Sequence, residues 1–428
     1  MNEMTTAKTT TSGSTSLAGP AQVTSEGART IRAGFIPLVD ASVLIAAAEF
    51  GFAAREGLAL DLVKDVSWAN VRDRLAFRQF DIAHMLSPMP VAAMLGLGSN
   101  PSPTITPFLL GRGGNAITLS VRLYERMRIT AGLEVHATAL ENAKALALVL
   151  ETMRAAGEPM PTLGMTYPFS SHNYEFRYWL AAGGIDPDRD VKLVVVPPPM
   201  TSDALAAGAI DGFCVGAPWN MVASERGVGR IVAAKQDIWP AAPEKVVGMR
   251  PDWAETHPEA VSRLIVALDA AARWCDRPEN HDALAETLAE GRYLSAPVHI
   301  IRHVLSGAFS LDAFGNRRVI DRYFRFHDGH ANYPDPDQAL WIYSQMIRWG
   351  QVEQGRANEA TAASAYRPDL YRLALGPDAI PAPEDKALER TGDCFMDSHP
   401  FDPAAIGDYV EAFPVRHMLS SRLSTDTA

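Results

Sequence analysis

Residues 31–88 read IRAGFIPLVDASVLIAAAEFGFAAREGLALDLVKDVSWANVRDRLAFRQFDIAHMLSP, and the alternation inside them decides the fold class. IRAGFIPLV (31–39) is a short apolar run with the length of a buried strand. Asp40-Ala41-Ser42 supplies cap-forming side chains ahead of an alanine-rich amphipathic pattern that Gly57 closes. LALDLVKDV (58–66) reads as the next strand, and SWANVRDRLAFRQF (67–80) has helical spacing. FDIAHMLSP (80–88) is a third strand, with Pro88 and Pro90 opening a further helix. Strands and helices alternating at this pitch predict parallel βαβ units in an open α/β sheet.

Working outward, NAITLSVRLY (115–124) leads into a long helical stretch, TALENAKALALVLETMRAAG (138–157), and the alternation then resumes. LGMTYPF (163–169), VKLVVVPP (191–198) and DGFCVGAPW (211–219) read as strands, separated by the helices SSHNYEFRYWLAAGG (170–184) and TSDALAAGAI (201–210). RIVAAKQDIWP (230–240) and EKVVGM (244–249) read as strands passing back towards the first cluster, and from Asp252 onward the pattern is mostly helical. Two βα clusters with a return crossing predict a two-lobed clamshell with extra C-terminal helices. The expected division is a disordered leader at 1–29, a discontinuous first lobe at 30–120 and 230–415, a second lobe at 121–229, and a flexible tail at 416–428. The leader is expected to be disordered because it is rich in Thr, Ser, Gly and Ala and too polar to join a core.

Composition narrows the function. Of 428 residues 47% are hydrophobic and 21% charged, with a formal net charge of −11. A chain with that balance lacks the basic face a nucleic-acid backbone needs, but a buried small-anion site depends on local donors and remains open. Three scattered cysteines, Cys214, Cys275 and Cys394, form no CxxC pair, which argues against a disulfide framework or a zinc site. Residues 1–29 contain no apolar run of the kind a secretory signal requires, and no stretch approaches the roughly 20 apolar residues of a membrane span. The expectation is a cytoplasmic, unexported chain.

Ligands of open α/β sheets sit at the carboxyl ends of strands, against helix N-termini. Five residues fall at such places: Trp68, Asn115, His172, Gly216 and Lys245. Together they offer an aromatic wall, an amide, an imidazole, a close backbone approach and an ammonium, a set suited to a small oxyanion. Each alone has a blander reading: Trp68 as core, His172 as a helix-start cap, Gly216 as turn geometry, Lys245 as a solvated surface residue. Signatures of enzymes (GxSxG, HExxH, P-loop, GxGxxG after the first strand) are missing, so a non-enzyme without metal or cofactor is expected. The glycine-rich GLGS (96–99) and GRGGN (111–115) lack the lysine or third glycine of a phosphate loop. His172 and Glu175 could form a metal pair at i, i+3, and His327 and His330 a second, but a chance pairing on a helix or loop is the stronger reading.

The segments GFIPLVD, SWANVRDRLAF, FDIAHMLSPMPVA, GNAITLS, YPFSSHNYEFRYWLAAGGIDPDRDVKLVVVPPPMTSDALAAGAIDGFCVGAPWN, IWPAAPEKVVG and NYPDPDQALWIYSQMIRWG resemble the nitrate- and bicarbonate-binding proteins of ABC transporters (NrtA- and CmpA-like). These are a branch of the type II periplasmic-binding-protein fold. The resemblance implies a nitrate pocket formed by Trp68, His172, Gly216 and Lys245, with a polar side chain from GNAITLS mapped to Asn115. A lysine rather than the acidic residue of the bicarbonate branch at 245 implies nitrate or nitrite. Ala217 departs from the acid of the family's GEPWN. Combined with the polar leader, the resemblance is strongest to the cytoplasmic NasS-type nitrate/nitrite sensors. These hold an RNA-binding NasT-like antiterminator until the anion arrives, without touching nucleic acid themselves. An exported binding component of a nitrate transporter is the alternative.

Overall fold

The computed structural model describes residues 28–100, 102–240, 242–381 and 395–419. The expected leader up to residue 27, the end of the expected tail from 420 and Cys394 lie outside them. The first sheet has the order β13-β4-β10-β3-β1-β2. Its strands are β1 (Arg29–Phe35), β2 (Leu58–Lys64), β3 (Ile82–Leu86), β4 (Leu109–Gly113), β10 (Pro243–Met249) and β13 (Phe324–Arg325). The second has the order β7-β6-β8-β5-β9. It is built from β5 (Asn115–Ser120), β6 (Thr162–Met165), β7 (Lys192–Val195), β8 (Gly212–Gly216) and β9 (Gly229–Ala234). A hairpin of β11 (Ala308–Ser310) and β12 (Arg317–Val319) stands apart.

Each sheet keeps a parallel βαβ core, β1 with β2 and β3 in the first and β6 with β7 and β8 in the second. The strands on which the chain crosses between sheets run antiparallel: β10 between β3 and β4, and β5 between β8 and β9. The two-lobed α/β architecture read from the sequence is therefore present. The change of sheet falls at Gly114, so both β5 and β9 belong wholly to the second sheet. GRGGN is the crossing itself. Gly111, Gly113 and Gly114 all have positive φ, and a Cβ on Gly113 or Gly114 would stand 2.0 Å from the Tyr323 carbonyl oxygen or 2.4 Å from the Phe324 ring.

Two local expectations change. Asp40 does not cap a helix: a 3-10 turn, Val39–Ala41, precedes the helix Ser42–Glu49, and the Asp40 side chain turns inward. RIVAAKQDIWP is strand only as far as Ala234, because Lys235–Ile238 forms one helical turn whose Asp237 side chain accepts from the Ala234 amide at 2.8 Å. Ser67 and Ser170 cap the helices that follow them, accepting from the Asn70 and Asn173 amides at 3.2 and 2.9 Å.

The C-terminal helices touch both lobes. Tyr366 Oη donates to the Ser87 carbonyl beyond β3, while the Trp341 and Phe413 rings pack on Tyr178 of the helix Ser171–Ala182. The chain is still docked at His417, whose amide donates to the Arg348 carbonyl at 2.7 Å. Cys214 and Cys275 are buried thiols. Among the described residues no helix is long and apolar enough to cross a membrane.

Candidate anion-binding site

The strands that cross between the sheets bring the five nominated residues to one buried locus. Asn115 opens β5 and pairs in register with Gly216 at the end of β8. Lys245 lies on β10, 1% exposed, which removes the surface reading. Trp68 begins the helix that Ser67 caps, its ring centroid 5.6 Å from Lys245 Nζ. His172 lies in the first turn of the helix Ser171–Ala182, its Nδ1 2.9 Å from Thr166 Oγ1 and its Nε2 3.5 Å from Glu244 Oε1.

Sequence reading missed what lies between them. Lys245 Nζ is 2.7 Å from Asp40 Oδ2 and also donates to Glu244 Oε1. Glu244 Oε2 and Glu175 Oε1 both take Lys235 Nζ, at 2.5 Å each. Asp40 Oδ1 stands 3.0 Å from His84 Nε2. From His84, which faces Asp40, the charges alternate through Asp40, Lys245, Glu244 and Lys235 to Glu175, a chain running from β3 to the helix Ser171–Ala182 and so from one lobe to the other. Ser171 Oγ adds a hydrogen bond to Glu244 Oε1 at 2.9 Å. The available signal was a charge on each side of a strand boundary in an otherwise apolar run: Lys235 directly after RIVAA, Glu244 directly before Lys245. A charge in such a place must be paired.

Burial and pairing compete at every member. For Asp40 and Glu244 burial alone would raise the pKa, but the ammoniums outweigh it: Lys245 and His84 hold Asp40 low, and Lys235 and Lys245 hold Glu244 well below the carboxylate range. Burial raises Glu175 and Lys235 offsets only part of that. Both lysines are raised, the carboxylates overcoming desolvation. Burial and then the Lys245 charge push His172 down to about 3, and burial lowers His84. The imidazoles are neutral near pH 7.

Trp68 Nε1, His172 Nε2 and Asn115 Oδ1 are among the polar atoms at the locus that lack a hydrogen-bond partner among the described residues. The Asn115 amide group is engaged, donating to Glu175 Oε2 at 3.1 Å and to Glu244 Oε2 at 2.5 Å. At Gly216 an added Cβ would meet Asp40 Oδ2 at 3.0 Å and Asn115 Oδ1 at 3.5 Å, so a side chain there would press on the Asp40 carboxylate. Ala217 is buried. Its carbonyl accepts from the Val39 amide at 2.9 Å and its amide donates to the Gly114 carbonyl at 2.8 Å, which ties β8 to both the Asp40 segment and the crossing. Glu175 serves Lys235 and Asn115, and His172 meets Thr166 and Glu244. Buried, unsatisfied donors beside an ammonium and a glycine are the chemistry of a small-anion cradle.

The NMT1-like family model matches residues 24–289. The chain is 33% identical to the "Nitrate/nitrite binding protein NrtA" of Synechococcus elongatus, over 92% of this chain and 89% of that one. It is 36% identical to the "Nitrate import ATP-binding protein NrtC" of Synechocystis over 79% of its length, spanning about half (48%) of that longer relative. Its fold superposes on the crystal structure of the periplasmic nitrate-binding protein NrtA from Synechocystis PCC 6803 with a TM-score of 0.79 and 28% identity, covering 91% of this chain and 99% of that one. The chain belongs to the NMT1-like family and has the periplasmic-binding-protein fold of NrtA.

Proposed function

We propose that the chain is a nitrate or nitrite receptor whose lobes close over the anion at Trp68, His172, Gly216 and Lys245, with Asn115 aligning the carboxylates behind them. The supporting observation is a pair of buried atoms without a hydrogen-bond partner, Trp68 Nε1 and His172 Nε2, with the Trp68 ring centroid 5.6 Å from Lys245 Nζ. Nitrate is planar and a weak acceptor, so it needs several donors and a dry site, each charge-assisted bond contributing about 1.5–3 kcal/mol. The similarity to NrtA supports the ligand class.

In this reading the chain works as a cytoplasmic sensor. The anion favours the closed form, and closure removes a surface that a NasT-like antiterminator recognises in the open form, without contact between this chain and nucleic acid. Near-complete release requires the anion to prefer the closed state by about 5.5 kcal/mol. The second reading, delivery of the anion to an ABC transporter, draws on the periplasmic relative.

Calorimetric titration with nitrate, nitrite, bicarbonate and sulfate tests the ligand. Heat for nitrate or nitrite alone, lost in a folded Lys245→Glu variant, is expected; a bicarbonate response or undiminished affinity in Lys245→Glu would sink the assignment. Nitrate-sensitive retention of an antiterminator on the immobilised chain separates sensor from transporter component.

A further inference from the structure

The buried cluster has a charge balance that restricts what can enter it. It contains three carboxylates, Asp40, Glu175 and Glu244, against two ammoniums, Lys235 and Lys245. The other titratable groups facing it are His84 from β3, His172 from the helix Ser171–Ala182, Cys214 from β8, and the phenols of Tyr323 and Tyr366. Burial keeps the thiol and the phenols protonated, hence neutral. With both imidazoles neutral, Asp40 and Glu244 already match the two ammoniums, and Glu175, raised by burial, adds no positive charge, so the cluster has no spare cation for a ligand. A monoanion would add a negative charge with no partner, in a place every member of which is buried. An uncompensated buried charge of that size is not tolerated, and a group nearby changes its protonation state instead.

We propose that the anion is bound together with one proton, taken from solvent and carried by His172. This rests on the reading of the cluster as the anion site. The geometry selects His172 over the other acceptors. His84 Nδ1 accepts from the Ile36 amide at 3.4 Å, so a proton there would face an N–H. Glu175 takes Lys235 on one oxygen and Asn115 on the other, and a proton would displace one of them. His172 has Nε2 free of hydrogen bonds, and its Nδ1 faces Thr166 Oγ1, a hydroxyl that can accept as readily as it donates. In the imidazolium both N–H groups are therefore served, Nδ1–H by Thr166 and Nε2–H by the anion. Burial and then the Lys245 charge keep His172 neutral in the free protein, and an anion beside Nε2 offsets the Lys245 contribution.

The test is nitrate titration calorimetry on the full chain at several pH values, each in buffers of different ionisation enthalpy. The slope of observed heat against buffer ionisation enthalpy counts protons taken up. A slope that rises towards one proton as pH is lowered from about 8 to about 5.5 is expected, with affinity climbing towards tenfold per pH unit at the acid end. His172→Gln keeps an N–H donor but cannot carry the proton; it should bind more weakly with zero slope. Should His172→Gln fail to fold, the ring resonances of His172 in the wild-type protein report the same event: nitrate should move them to imidazolium values. Nitrate heat with no proton uptake at any pH, uptake that survives in His172→Gln, or ring resonances unmoved by nitrate overturns the proposal and leaves the receptor reading standing. No heat for any anion overturns the receptor reading itself.

Discussion

Lys245 Nζ lies 2.7 Å from Asp40 Oδ2, so the cation most suited to an incoming anion is already matched by a carboxylate of the same lobe. Asp40 in turn sits against Gly216, where a side chain would reach within 3.0 Å of its oxygen. An anion entering here as proposed would meet an ammonium that is aligned and partly neutralised, not a bare charge. Buried bare charge is expensive, and the pairing is what allows Lys245 to be 1% exposed before any ligand binds.

Asp40→Asn should expose that dependence. It leaves the shape of the side chain and removes its charge, so the ligand-free variant should lose about 3 kcal/mol, the cost of breaking a buried pair from one side. Nitrate, supplying the missing negative charge, should return most of the loss. Urea unfolding with and without nitrate measures both quantities. A variant as stable as the parent without ligand would show that Lys245 is not held by Asp40 in solution.

Gly216→Ala addresses the close approach. The added methyl meets a carboxylate oxygen at 3.0 Å and Asn115 Oδ1 at 3.5 Å, contacts that small shifts can relieve. Folding should survive, while nitrate affinity falls about tenfold, or about 1.4 kcal/mol, as the Asp40 and Asn115 groups move. Unchanged affinity would remove Gly216 from the site.

Much of this arrangement was legible in the sequence, and the misses share one physical cause. Ile82–Leu86 and Gly212–Gly216 are buried at every position and read correctly as strands because a run of apolar residues has few other places to go. Trp68, His172, Gly216 and Lys245 were found near strand and helix ends, because such ends follow local rules. Asp40, Lys235 and Glu244 were passed over because their positions depend on partners 129 or more residues away in some cases, such as Asn115 for Glu244. Asp40 looked like a cap and Lys235 like the middle of a strand. Each local propensity was overruled by a tertiary ion pair, which one-dimensional patterns do not display.

Across the mouth between the lobes, Arg72 Nη1 donates to Tyr167 Oη at 2.7 Å. Arg72 lies on the helix Trp68–Ala76 of the first lobe and is held by Asp73, while Tyr167 follows β6 of the second. Removing the clasp by Arg72→Ala or Tyr167→Phe should cost about 1 kcal/mol of closed state, which corresponds to roughly fivefold faster nitrate release. Stopped-flow displacement reads this directly. Release at the parental rate in both variants would place the clasp outside the gating motion.

The pH dependence of stability follows from His172. In the folded, ligand-free protein burial and Lys245 push it down to about 3, against an ordinary value near 6.5. Between those values the unfolded chain binds a proton that the folded chain refuses, so stability rises with pH there and is lost as the pH falls below about 6.5. From pH 7 to pH 5 the loss from this residue alone should be about 2 kcal/mol. His84, lowered in the same direction by burial, adds to it. Denaturant unfolding at the two pH values should show the loss, and His172→Gln should show a shallower one. Saturating nitrate should weaken the dependence in the parent protein, because the folded form then accepts the proton as well. An equal loss with and without nitrate would mean that the anion does not reach the imidazole.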